Sequence, residues 1–228
     1  MTFGAVIAGK HGIYSIPEDG SGKAELLLAT GDRVRPTSWS PDGKALVYST
    51  AGTDKKTHLW VLPVEAGGGA PSGPGAASGK PYPLHDTAFS EDEGEVSPDG
   101  RWLAYTSEES GAPEVYVQPF SVSGPGGKVR ISTDGGQSPR WSKNGRELFY
   151  WDGTRSKAMA VDVETTPQFR VGIPNQLFAH FGRTTWDVAP DGKRFLFEQD
   201  PSLESGVREM AGVVDWFEEL RRRVPAGK

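Results

Sequence analysis

The sequence predicts an all-β fold built from one repeated unit of four short strands. Three observations carry this prediction: a tight-turn motif that occurs four times, alternating apolar runs on both sides of it, and a spacing in the mid-forties once the inserted glycine-rich loop at residues 66–81 is left out of the first interval. The turn glycines are Gly43, Gly100, Gly145 and Gly192, which lie 57, 45 and 47 residues apart. A period of this size with several strands per unit is typical of propeller blades. We therefore expect a β-propeller of about five four-stranded blades, with incomplete blades at its two ends.

The turn motif is clearest in the segment WSPDGKALVYST, residues 39–50. Pro41 presets φ for the first corner of a type I turn, and Asp42 can accept a hydrogen bond from the backbone N–H two residues on. Gly43 supplies the positive φ that closes the turn. The other three copies are VSPDGRWLAYTS, WSKNGRELFYWD and VAPDGKRFLFEQ. Each copy predicts a hairpin in which the first strand of a unit turns back into the second.

The second strand of each unit is apolar on both faces. An apolar residue stands three, four and five positions after every turn glycine, as in Leu46, Val47 and Tyr48. This pattern indicates a strand that is buried between two neighbouring sheets. A third strand is predicted in HLWVLPV, EVYVQPF, KAMAVDV and EMAGVVDWF, and a shorter fourth strand in PYPLHD, KVRIST and NQLFAHF.

The bulk composition agrees with one sizeable all-β domain. The chain has 228 residues, with 30 glycines and 18 prolines for its many turns. Its net charge of −5 argues against nucleic acid as a partner, and without cysteine it has neither disulfides nor thiol chemistry. No apolar run is long enough to insert into a membrane, and the first residues show no signal-peptide pattern. The compartment is therefore left open between cytoplasm and periplasm.

The two ends of the chain depart from the repeat. Residues 4–29 resemble the second, third and fourth strands of a blade, and the last unit leaves the pattern at DWFEELRRR. We expect a single domain over residues 1–228, made of a partial blade at 1–31, blades at 32–86, 87–133 and 134–180, and a last blade at 181–214. In residues 215–223, Asp215 can cap a helix whose last turn holds three arginines.

The sequence is compatible with three ways of closing the ring. The partial blades meet within one chain, or two chains join edge to edge, or the chain is the C-terminal piece of a longer propeller. Unpaired sheet edges recruit other strands, so the ends must be covered in one of these ways. We favour the monomer over the edge-to-edge dimer, because five small blades can close a ring unaided.

The segments SWSPDGKALVYST…HLWVLPV and EVSPDGRWLAYTSEESGAPEVYVQPF resemble the TolB-type, WD40-like propeller repeats, over roughly residues 30 to 215. The end of the chain is similar to the C-terminal ends of large bacterial proteins in which such propellers follow a Ser/Thr kinase domain. The chain itself carries no kinase motif. The resemblance implies a periplasmic, envelope or sensory setting and the binding of proteins at the mouth of the ring.

Two groups of polar residues are candidates for a functional role rather than a purely structural one. The acidic run SEDEGE, residues 90–95, is best interpreted as a solvated loop, with a cation site or a carboxylate at the channel mouth as the functional alternative. The four histidines His11, His58, His85 and His180 have no zinc-site spacing. The glycine-rich segment 72–81 fails the spacing of a phosphate-binding loop. We therefore predict no metal and no cofactor.

The loops that enter the first strand of each blade open on one face of the ring and should form the binding surface. They bring mixed charge and a tryptophan towards one end of the channel, as recognition surfaces do. The predicted ligand-binding residues are Arg33, Arg35, Glu93, Glu95, Gln137, Arg140, Arg183 and Trp186. We expect a non-catalytic module that binds a protein or peptide there.

The alternative is a hydrolase of the glycosidase type. That chemistry needs two carboxylates roughly 5 to 10 Å apart. The loops bring candidate pairs to the same end of the channel. Each pair combines Glu93 or Glu95 with Asp134 or Asp187.

Overall fold

A computed structural model of the chain describes residues 1–17, 22–64, 79–120, 127–166, 168–179, 185–197 and 212–213. These residues form nineteen strands and no helix, which confirms the all-β class. Accordingly, the described residues contain no helix that could cross a membrane. The helix predicted at residues 215–223 lies outside them.

The strands form five small antiparallel sheets in chain order. Sheet 1 contains β1 (Thr2–Ile7), β2 (Lys10–Ser15) and β3 (Glu25–Ala29). Sheet 2 contains β4 (Val34–Trp39), β5 (Ala45–Ala51), β6 (Thr57–Pro63) and β7 (Tyr82–Pro83). Sheet 3 contains β8 (Glu91–Val96), β9 (Trp102–Ser107), β10 (Glu114–Pro119) and β11 (Val129–Arg130).

Sheet 4 contains β12 (Gly136–Trp141), β13 (Glu147–Asp152), β14 (Lys157–Glu164), β15 (Arg170–Val171) and β16 (Asn175–Ala179), and sheet 5 contains β17 (Trp186–Val188), β18 (Phe195–Phe197) and β19 (Gly212–Val213). In sheet 4, β14 is long enough for its outer edge to pair with β15 along one half and with β16 along the other. The sequence predicted β16 as the fourth strand and did not predict β15.

The four turns have the predicted geometry. In each turn the glycine N–H donates to the carbonyl oxygen three residues earlier, at 2.8 to 2.9 Å, and the glycine has φ between +68° and +73°. The carboxylate of Asp42 accepts a hydrogen bond from the N–H of Lys44 at 3.1 Å. Turn chemistry of this kind is local, so four to six residues determine it.

The second strands of the middle sheets serve two interfaces each. Leu46 of β5 packs towards sheet 1, whereas its neighbour Val47 packs towards sheet 3. In β13, Leu148 lies in the cluster shared with sheet 3, and Phe149 lies in the cluster shared with sheet 5. All four side chains are essentially inaccessible to solvent. The prediction that both faces of these strands are buried is thus confirmed.

The first strands of sheets 2, 3 and 4 share one irregularity. Their pairing with the second strand shifts register between Pro36 and Ser38, between Asp92 and Glu95, and between Gln137 and Arg140. Glu93 and Ser138 have φ of 58° and 55°, in the left-handed region that glycine usually occupies. Such bulges turn a side chain away from the regular alternation of a strand. They place polar groups between the sheets, as described next.

Candidate functional site

The candidate site lies where the first strands of sheets 2 to 5 begin. We call the residues at these beginnings, together with the loops that lead into them, the rim. The first strands β4, β8, β12 and β17 contact one another in chain order, so the rim brings together loops that are far apart in sequence. Seven of the eight predicted binding residues are described, and all seven belong to these strands or loops.

Glu93 ties sheet 3 to sheet 4. Its carboxylate accepts hydrogen bonds from the N–H of Ser138 at 2.7 Å, the hydroxyl of Ser138 at 2.6 Å and the hydroxyl of Thr106 at 3.1 Å. Nη2 of Arg155 lies 3.6 Å from Oε1 of Glu93, as an ion-pair partner. Only 12% of the Glu93 side chain is exposed. The positive φ of Glu93 aims the carboxylate at the neighbouring sheet. Its oxygens are thus already engaged within the fold.

Glu95 takes part in a contact that repeats from sheet to sheet. Its Oε1 accepts a hydrogen bond from the N–H of Trp141 at 3.3 Å, just as the hydroxyl of Ser38 accepts one from the N–H of Val96 at 3.0 Å. The other oxygen, Oε2, is buried and has no hydrogen-bond partner among the described residues. The nearest cationic atom is Arg140 Nη1, at 3.6 Å.

Burial raises the pKa of Glu95 to about 7. The charge of Arg140 and the bond from Trp141 favour the carboxylate and lower the pKa, while the negative charge of Asp187 raises it further. Desolvation outweighs the attraction even though 22% of the side chain remains exposed, because the carboxylate itself is enclosed by neighbouring strands. Glu95 is therefore a carboxyl group that can hold a proton near neutral pH.

We expect Glu95 to destabilise the fold as the pH rises. The folded protein keeps a proton that the unfolded chain releases near pH 4.5, so this contribution to stability is complete at low pH and is lost by about pH 7. The free energy of unfolding should fall by roughly 1 to 3 kcal/mol across this window. Urea titrations of the native protein and Glu95→Gln at pH 5 and pH 8 measure it. Identical pH dependence in the two proteins would show that Glu95 does not titrate abnormally.

Arg35 and Asp92 form an ion pair across sheets 2 and 3. Arg35 Nη2 lies 2.6 Å from Asp92 Oδ1, which also accepts a hydrogen bond from the hydroxyl of Ser49 at 2.5 Å. The Arg35 side chain is nevertheless 55% exposed, so much of it faces solvent. Arg33 is exposed as well, and it has no ion-pair partner among the described residues. The rim therefore presents two arginines beside a fixed carboxylate.

The remaining predicted residues take other positions. Gln137 is buried and donates to the carbonyl oxygen of Gly153 at 3.2 Å. Trp186 is 3% exposed, and its indole N–H donates to the carbonyl oxygen of Ser138 at 3.0 Å. Arg140 donates from Nε to the carbonyl oxygen of Trp186 at 3.3 Å. Arg183 lies outside the described residues. Gln137 and Trp186 thus support the rim from below its surface.

The acidic run at residues 90–95 is not a solvated loop. Residues 91–96 form strand β8, and the Glu91 side chain is only 3% exposed. Glu91 Oε2 lies 2.7 Å from Nδ1 of His85, while Nε2 of His85 lies 2.7 Å from Oε1 of Gln118. Burial lowers the pKa of His85, but the bonds to Glu91 and Gln118 outweigh it and the net shift is upwards. Inter-sheet packing thus makes these acids structural.

A pocket of about 600 Å³ lies outside the first strands, between sheets 1 and 2. Three connections form its walls: the loop from β3 to β4, the turn from β5 to β6, and the chain leading from β7 to β8. Neither this pocket nor the ion pair of Asp92 with Arg35 was predicted from the sequence. The loop that leads into β4, within residues 30–38, was predicted as part of the rim, and it forms one wall of the pocket. The other walls depend on how two sheets pack. Among the described residues, no cluster of His, Asp and Glu could hold a metal ion.

No family model matches the sequence, and neither does any curated protein. Similar solved structures include a TolB candidate from Agrobacterium tumefaciens, with a TM-score of 0.57 and 22% identity over 79% of this chain and 61% of that one. Hydrazine synthase from Kuenenia stuttgartiensis has a TM-score of 0.56 and 14% identity over 90% of this chain and 67% of that one. A puromycin-hydrolyzing peptidase from Mycobacterium tuberculosis has a TM-score of 0.52 and 14% identity over 86% and 34%, respectively.

The chain spans 61% of the length of the Agrobacterium protein. At identities this low the similarity concerns the fold and carries no activity over to this chain. The five antiparallel sheets, their order and these neighbours agree with one another, and the chain has a TolB-like β-propeller fold.

Proposed function

We propose that this chain is a non-catalytic binding module that recognises a protein or peptide at the rim. The observation that carries the proposal is the pair of exposed arginines, Arg33 and Arg35, beside bonds that lock neighbouring sheets together. Arginine is enriched where protein surfaces bind partners. A surface held rigid before binding loses less conformational freedom on association, which favours affinity.

The charge of the rim indicates the kind of ligand. Asp92 already neutralises part of the charge of Arg35, whereas Arg33 has no such partner among the described residues. Glu93 and Glu95 are turned into the fold and contribute little surface. Arg33 and Arg35 are therefore exposed cations at this part of the rim, beside the exposed Asp32, and we propose that the ligand contributes acidic side chains to the two arginines.

The same proposal includes a five-bladed ring in which sheet 1 supplies the second to fourth strands of an incomplete blade. The indole N–H of Trp39, at the end of β4, donates to the hydroxyl of Thr2 at 3.0 Å. The beginning of β1 thus lies beside the end of β4, the first strand of sheet 2. The second strands of the other sheets also begin where a first strand ends. This direction supports β1 as a second strand.

A selection of random peptides on the immobilised native protein tests the binding function. We expect the selected peptides to be acidic and to bind the Arg33→Ala/Arg35→Ala variant at least tenfold more weakly, since each charged contact contributes about 1 kcal/mol. Arg146→Ala is the matched control, because Arg146 is exposed in the turn at the opposite end of β12. Peptides that bind all three proteins equally well would place recognition elsewhere.

One observation favours a hydrolase as the second candidate. Glu95 can hold a proton near neutral pH, as a general acid must, and the nearby Asp187 is an exposed second carboxyl group. Glu93 is engaged by Ser138 and Thr106 and is unsuited to this role. A screen of glycoside substrates separates the candidates. Turnover by the native protein that disappears in Glu95→Gln would replace the binding function with catalysis.

A further inference from the structure

We propose that the pocket between sheets 1 and 2 binds an organic cation, an ammonium or guanidinium group carried on an apolar or aromatic body. No residue of the first strands lines this site, but residues 30–32 and 86–87, in the rim loops that lead into β4 and β8, form part of its wall. Its volume of about 600 Å³ is within the range of pockets that enclose small ligands or single side chains.

The charges on the pocket wall favour a cation. Asp32 and Asp86 line the pocket, and neither has an ion-pair partner among the described residues. The described lining contains no lysine or arginine. Two uncompensated carboxylates on one concave surface attract positive charge and repel anions.

The two histidines of the wall do not reverse this balance. His85 places its two ring nitrogens against Glu91 and Gln118, so the Glu91 carboxylate compensates any charge on its ring. His58 pairs with Asp54, with Nε2 and Oδ1 3.4 Å apart. Each histidine is therefore paired with a carboxylate, whereas Asp32 and Asp86 have no ion-pair partner in the described part of the chain.

The rest of the pocket lining suits a ligand that combines an apolar body with N–H donors. Tyr48 and Trp60 contribute aromatic rings, and Pro81 and Pro83 contribute apolar surface. Aromatic rings attract cations through their electron-rich faces. The hydroxyl of Thr87 is buried and has no hydrogen-bond partner among the described residues, so an acceptor is left for a ligand N–H.

Calorimetric titration with benzylamine tests this assignment, with benzyl alcohol and benzoate as the neutral and anionic analogues. We expect benzylamine to bind the native protein and both analogues to bind at least tenfold more weakly. Asp32→Asn and Asp86→Asn should each weaken benzylamine about fivefold, and together about 25-fold if the two charges act independently. Both residues are exposed, so these variants should fold normally.

Asp134→Asn is the matched control, because Asp134 is an exposed carboxylate of the loop that precedes β12 and does not line the pocket. It should bind benzylamine as the native protein does. Absence of saturable binding, equal binding of benzoate, or affinity that survives the double substitution would each overturn the assignment. Arg35 does not line the pocket, so Arg35→Ala should leave benzylamine binding unchanged and separates this test from the peptide selection.

Discussion

Replacement of Glu93 by alanine should destabilise the protein by about 3 kcal/mol, because it removes a buried carboxylate that three protein donors share. The hydroxyls of Ser138 and Thr106 would lose their acceptor, and Arg155 would lose its ion-pair partner. The N–H of Ser138 would keep only the hydroxyl of Thr106, at 3.2 Å. The N–H of Ser138 lies at an interface between sheets that water reaches poorly. For a domain of this size the midpoint of thermal unfolding should fall by roughly 6 to 12 °C.

Glu108→Ala is the control for this substitution. Glu108 is exposed in the turn between β9 and β10, and the structure gives its carboxylate no bond among the described residues. Its loss should change stability by less than about 0.5 kcal/mol. A double-mutant cycle with Thr106→Val then measures the coupling between Glu93 and the Thr106 hydroxyl, which also accepts a hydrogen bond from the N–H of Ser138. If Glu93→Ala costs no more than Glu108→Ala, the carboxylate does not hold sheets 3 and 4 together.

Gly135→Ala should be comparably severe, for a different reason. Gly135 precedes β12 with φ of +86°, and a Cβ there would lie 2.7 Å from the Cα and 3.1 Å from the nitrogen of Gly153. Both contacts are with backbone, which has no rotamer to relieve them. The loop into β12 and the end of β13 would have to separate, and we expect a loss of about 3 kcal/mol in chemical denaturation.

Gly111→Ala separates the steric contact from the cost of the backbone conformation. Gly111 has φ of +92°, but a Cβ there would meet nothing within 4 Å. This variant should lose only the 1 to 2 kcal/mol that a non-glycine residue incurs at positive φ, about half of the effect at Gly135. Equal losses at the two positions would mean that the approach of Gly153 plays no part.

The parts of this structure that the sequence predicted are those determined by near neighbours. A turn such as Ser40–Gly43 depends on proline and glycine within four residues, and the two apolar faces of β5 follow from consecutive side chains. The fold class follows because the same local pattern occurs four times. Even the short strands β7 and β11 were predicted from their place in the repeat.

The parts that the sequence did not predict depend on contacts between sheets. The run of acids at residues 90–95 has the composition of a solvated loop, yet Glu91 meets His85 and Glu93 meets Ser138, 45 residues further along the chain. The bulge that turns Glu93 sideways leaves no mark in the composition. The pocket between sheets 1 and 2 likewise exists only because three connections come together.

The alternating sides of β5 and β13 also bear on how the molecule folds. Since Leu46 and Val47 belong to different interfaces, as do Leu148 and Phe149, a middle sheet has no hydrophobic interior of its own. A single repeat in isolation would expose both surfaces, and each becomes buried only when the adjacent repeat is present. Folding is then a nearest-neighbour process, in which order spreads from one interface to the next and damage to one strand weakens two interfaces at once.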